Sequence, residues 1–200
     1  MLLPDGRWNL PTPGCVLPGM PATAPGPAAP KPSAFSPSRP EFWILLASLI
    51  FIGVLLESGY FEREVLVLHL FQSLIYVAVI TFALRGSKWG YGIGLSIAAI
   101  WNLYNTFSGF VFDAGFREWS RFLSSGRISN PVTFVAPIAW FDHLLLAIAI
   151  LWAYLAQVKK RLSDLLVLAA SFLVTALYFF GIIALLWPQF IRQMQRQFGF

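Results

Sequence analysis

From residue 42 onward the chain alternates long apolar runs with short polar breaks. The runs are Phe42–Phe61, Val65–Leu84, Trp89–Phe107, Phe134–Leu155 and Leu165–Trp187. Each is about as long as the roughly 20 residues a helix needs to cross a bilayer. The first and third carry polar residues near their ends and are the weakest of the five. The runs on either side of Arg85–Lys88 have almost no polar face, so a large soluble bundle does not fit the pattern. The pattern predicts an all-α integral membrane protein with five transmembrane helices, at about 42–61, 65–84, 89–107, 134–155 and 165–187.

Between the third and fourth runs the period changes. In "FDAGFREWSRFL", Phe112, Phe116, Trp119 and Leu123 recur at helical spacing, with Asp113, Arg117, Ser120, Arg121 and Ser124 opposite them. An aromatic face backed by an arginine-bearing polar face predicts an interfacial amphipathic helix over about 112–123. Phe190, Ile191, Met194 and Phe198 suggest a second, shorter one. Residues 1–40 are different again, holding 11 of the 14 prolines among Ala, Gly and Ser. Such a segment lacks the apolar surface to offset its ordering entropy, so it reads as a disordered tail before a membrane domain over 41–200. Met20 would serve as a start as well as Met1, since "MPATAPGPAAPKPSAF" needs nothing upstream.

Composition supports this division. The chain of 200 residues is 58% apolar and 12% charged. Its net charge of +5 does not point to nucleic acid, because the basic residues sit at the ends of the runs, where they meet lipid headgroups. The single cysteine, Cys15, excludes an intrachain disulfide and a CxxC pair. With five spans, eight Lys and Arg residues fall on the side of the N-terminus and six on the other. The "KKR" at 159–161 strengthens that bias, which puts the N-terminus in the cytoplasm and the C-terminus outside. The expected location is a bacterial inner membrane.

Antiparallel spans place particular residues in one leaflet. The ends of spans 1, 3 and 5 and the starts of spans 2 and 4 share it. There lie Glu57, His69, Gln72 and Asn102, with Asn105, Asp142 and His143. The opposite leaflet offers nothing comparable. His69, Gln72, Ser73 and Tyr76 form one stripe on span 2, which must turn away from lipid. Gly90, Gly94 and Ala98 form a small-residue ridge on span 3 that lets another helix come close. Asp142 lies about 12 Å along its span from Phe134, too deep for a short side chain to reach water. It is expected to face the bundle and to find a partner among His69, His143, Asn102 and Asn105.

These residue types suit several chemistries. Glu57, His69, Asp142 and His143 are ligand types for zinc or iron, but their spacing matches no metal motif. Haem held by His69 and His143 would require similar depth, and the two differ by roughly 8 Å along their helices. Nucleophilic catalysis has no motif behind it. The pattern best fits a non-enzymatic accessory protein that contacts another membrane subunit, or a binder of a small amphiphilic ligand. The alternative is a membrane-embedded enzyme or transporter using Glu57, His69, Asp142 and His143 for acid–base, proton or metal chemistry. Binding or catalysis requires an open cavity among these side chains; purely structural roles require them paired and close-packed. The span count itself is testable. A reporter fused after Lys160 is expected to read cytoplasmic and one inserted within 124–130 external. The same side for both removes the five-span arrangement.

Overall fold

Proline and glycine set many of the helix limits. Pro40 and Pro131 stand in the first turns of two helices, where a missing N–H costs nothing. Gly86, Gly109 and Gly126 adopt positive φ at helix ends, which side chains with a Cβ resist. The computed structural model describes residues 36–159 and 161–189, and every regular element among them is helical. The helices are α1 (Pro40–Phe61), α2 (Leu66–Leu84), α3 (Lys88–Phe107), α4 (Phe116–Ser125), α5 (Pro131–Gln157) and α6 (Ser163–Leu186). A 3-10 turn, Arg63–Val65, leads into α2, and a π-helical turn, Phe110–Gly115, leads into α4.

Among the described residues, four segments are long and apolar enough to cross a membrane: α1, Arg63–Leu84, α5 and α6. That is the character of an integral membrane protein. Their outward surfaces remain apolar, as at Leu49, Leu74, Ile148, Leu166 and Leu177. No water-facing surface would keep so continuous an apolar cover. The tail reading of 1–40 falls outside the described residues except for 36–40, as does the second amphipathic stretch beyond residue 189.

The third helix, α3, is not among the four, and it is the most enclosed. It packs against α2, α5 and α6, while α1 packs against α2 and α5. Its glycines permit this. A Cβ at Gly90 would strike the backbone of Phe82 and Ala83. One at Gly94 would meet Ile150 and Val79, and one at Gly92 would meet Ser171 of α6. The small-residue ridge read from the sequence thus continues onto a second face. Ser96, buried on α3, returns its hydroxyl to the Gly92 carbonyl at 2.7 Å.

The α4 region differs in phase from the sequence reading. Phe112 stacks on Phe116 and meets Trp140 edge-on, and Trp119 donates its Nε1–H to the Phe134 carbonyl at 2.7 Å. Leu123, expected on the same face, is 81% exposed, and Phe122 packs on Phe134 instead. The cause is Glu118, which is turned inward and 3% exposed. Its carboxylate accepts from the backbone N–H groups of Ser129 and Asn130, and from Arg121 at 2.6 Å. Backbone N–H groups in a tight connection must find acceptors, and that demand sets the roll of α4.

These bonds, the Ser129 N–H first, hold the Glu118 carboxyl below its ordinary pKa of 4.5, against an opposing desolvation. A lowered folded pKa gives stability that is fully present above the unfolded value and lost as pH falls through the folded one. Glu118→Gln is therefore expected to melt at a lower temperature than the parent at pH 7, with the gap closing at acid pH. Parallel melting curves across that range would overturn the assignment.

Candidate functional site

Side chains from six helices line a cavity of about 530 Å³ at one end of the bundle, five of them long. The end of α1 contributes Phe51, Val54, Leu55 and Ser58, and the start of α2 contributes Leu68, His69 and Gln72. The end of α3 supplies Trp101, Tyr104 and Asn105. The start of α5 adds Val135, Ala136 and Ala139, and the end of α6 adds Phe179 and Ile183. These are the five helix ends that antiparallel connection groups together. The π-helical turn closes one side with Phe110, Asp113 and Ala114, and Arg117 follows on α4. Such turns recur at functional sites because the widened helix re-aims side chains. Gly109, at φ 72°, opens the turn, and the Asp113 carboxylate lies over it, where a Cβ would intrude.

Polarity is graded along this space. Glu62, Asp113, Arg117, Ser108 and Thr133 line it from the loops and helix ends. Phe51, Trp101, Phe179 and Ile183 line it from within the bundle. Two polar side chains sit between these zones. His69 Nδ1 donates across the helix pair to the Leu55 carbonyl of α1 at 3.0 Å. A ring whose Nδ1 carries the proton presents Nε2 as an acceptor, and Nε2 has no partner among the described residues. Gln72, one turn further in, is 8% exposed, and its amide likewise has no partner among them.

His143 has a different role. It is fully buried, stacked on Trp101 with ring centroids 4.7 Å apart, and met edge-on by Phe51 at 4.1 Å. Nδ1 donates to the Ala139 carbonyl at 2.8 Å, and Nε2 accepts from the Tyr76 hydroxyl at 2.7 Å. Both nitrogens are engaged, so neither is free for a metal. No group of three or more His, Cys, Asp or Glu among the described residues is placed to hold one. The pair ties α2 to α5 in the middle of the bundle.

The remaining sequence-predicted residues divide. Asn105 lines the cavity and donates to the Trp101 carbonyl of its own helix at 2.9 Å. Glu57 and Asn102 each have a buried oxygen without a partner, and neither lines the cavity. Asp142 is 5% exposed, and both its oxygens lack a hydrogen-bond partner. The expected bond to His69, His143, Asn102 or Asn105 is not formed. His143 is turned toward Tyr76, and side chains one residue apart on a helix point about 100° apart.

The opposite end of the bundle is not empty of polar groups, contrary to the sequence reading. Lys88 of α3 pairs with Asp164 of α6, and Tyr154 of α5 donates to the same carboxylate at 2.7 Å. Gln157 donates to Glu41 of α1 at 2.6 Å and accepts from Tyr91 of α3 at 3.3 Å, and Arg39 bonds Glu41 at 3.0 Å. These groups sit at helix ends, where a sequence scan assigns them to headgroups and water. Of the cavity's own polar lining, Glu62 went unnoticed for the same reason, and Asp113 and Arg117 read only as a solvated helix face. Comparison with known proteins finds no matching family model, curated protein or solved structure.

The contrast between His143 and Asp142 is measurable. Tyr76→Phe leaves His143 Nε2 unpaired in a sealed site and should destabilise the protein by about 1–3 kcal/mol. Asp142→Ala breaks no hydrogen bond and removes a desolvated carboxyl, so it should melt at or above the parent temperature. Equal losses for the two variants would show that Asp142 has a partner after all.

Proposed function

We propose that the chain is a five-span membrane protein that binds a small amphiphile without transforming it. The observation that carries this reading is the cavity, with charged groups at its rim and aromatic and aliphatic walls between the helices. Such a gradient matches a ligand with a polar head and an apolar body, and about 530 Å³ lies within the range of small-molecule sites. The enzymatic alternative needs Glu57, His69, Asp142 and His143 to act together, and of these only His69 lines the cavity.

The five-span arrangement makes α3 the additional crossing. Its lower apolarity is supported by its position, since a helix enclosed by three others can carry Ser96 and Asn105 away from lipid. The Lys and Arg bias then assigns the N-terminus and the 158–162 connection to the cytoplasm. On that reading the cavity opens in the outer half of a bacterial inner membrane. The polar side of α4, with Arg117 and Arg121 exposed, lies against the headgroups there.

The test is extraction and mass spectrometry of small molecules bound to purified protein, beside a variant with the cavity filled. Val135→Trp places a large ring in the space from a half-buried position. The parent is expected to carry a defined amphiphile that the variant lacks. Identical lipid complements in both would overturn the binding reading and leave a purely structural or accessory role.

A further inference from the structure

The polar groups inside the cavity restrict what head they can receive. Of the charged side chains that line it, Glu62 and Asp113 are acidic and Arg117 is basic. The balance is one negative charge, which opposes a carboxylate or phosphate head in a site of low dielectric. Deeper in, the free valences are specific. His69 Nε2 offers a lone pair, because Nδ1–H is committed to Leu55. Gln72, more than nine-tenths buried, offers an amide with unused N–H donors one turn away on the same face of α2. One hydroxyl group satisfies both, donating its proton to His69 Nε2 and accepting from the Gln72 amide. Phe51, Trp101, Tyr104 and Phe179 line the same space and favour a flat ring over a flexible chain.

We infer that the cavity takes an uncharged, hydroxyl-bearing ring lipid, a phenol-type head on an apolar tail, held by His69 and Gln72. This rests on the amphiphile-binding reading and narrows it to a ligand class. It also gives a partner to His69 Nε2 and to the Gln72 amide, which have none among the described residues.

The experiment uses full-length protein in phosphatidylcholine nanodiscs and three probes: 4-dodecylphenol, its methyl ether 4-dodecylanisole, and dodecanoate. The phenol is expected to bind, the ether to bind roughly tenfold more weakly for want of the O–H, and dodecanoate to bind weakest. His69→Phe should bring the phenol down toward the ether, because only the phenol donates to Nε2, whereas Gln72→Leu, which removes the donor to an oxygen both probes carry, should weaken phenol and ether alike. Gln72→Leu keeps the His69–Leu55 link intact and so serves if His69→Phe fails to fold. Equal binding of phenol and ether, or preference for dodecanoate, overturns the hydroxyl assignment while amphiphile binding stands. Absence of binding by all three probes overturns the assignment too. The complement of co-purifying amphiphile, parent against Val135→Trp, then shows whether the broader reading falls with it.

Discussion

A polar group surrounded by hydrocarbon has only the protein to bond with, and the arrangement of these helices follows from that restriction. Some buried polar groups meet that restriction across helices, while others, Asp142 among them, have no hydrogen-bond partner among the described residues. Tyr76 meets His143 between α2 and α5, and His69 meets the Leu55 carbonyl between α2 and α1. Ser96 has no such neighbour and returns to its own backbone. Each cross-helix bond also fixes a rotation, so the imidazole of His143 can stack on Trp101 and the apolar residues around it close up.

The same restriction explains the place of α3. Its sequence is the least lipid-compatible of the long helices, and it lies where lipid contact is least, between α2, α5 and α6. Glycine makes that possible. Backbones approach closely at Gly90 and a serine fits against Gly92, so three neighbours can surround one helix. At one end of α3, Lys88 and Tyr91 join networks that gather α1, α5 and α6. At the other end the helices separate around the cavity, and the π-helical turn fills the gap on one side only. Cross-helix bonds hold the cavity end as well, His69 to Leu55 and Trp140 to Thr106 among them, but there the helices part around a cavity.

On the proposed reading, the parting of the helices at that end locates the binding site. A bundle closed at both ends would have no room for a ligand, and one open at both would have little to hold its spans in register. The clasp of Glu118 on the Ser129 and Asn130 amides keeps the connection between α4 and α5 in place beside the opening. It does so from α4, the least apolar of the described helices, where a carboxylate can remain charged.

The order of residues alone determined the helices and their rough limits, because long apolar runs bounded by Pro, Gly and charge allow little else. It also grouped one end of five helices, since antiparallel connection is a matter of counting. Three of the residues so grouped, His69, Gln72 and Asn105, line the cavity. Tertiary structure decided which way each side chain turned. Asp142 and His143 are neighbours in sequence with unlike surroundings, because a rotation of about 100° per residue sends one to Tyr76 and leaves the other unpaired. Leu123 is exposed and Phe122 reaches Phe134 instead, while Glu118 turns inward onto the amides of Ser129 and Asn130. The ion pair of Lys88 with Asp164 joins residues far apart in the chain, and no local pattern encodes such a meeting; it exists only once α3 and α6 have packed.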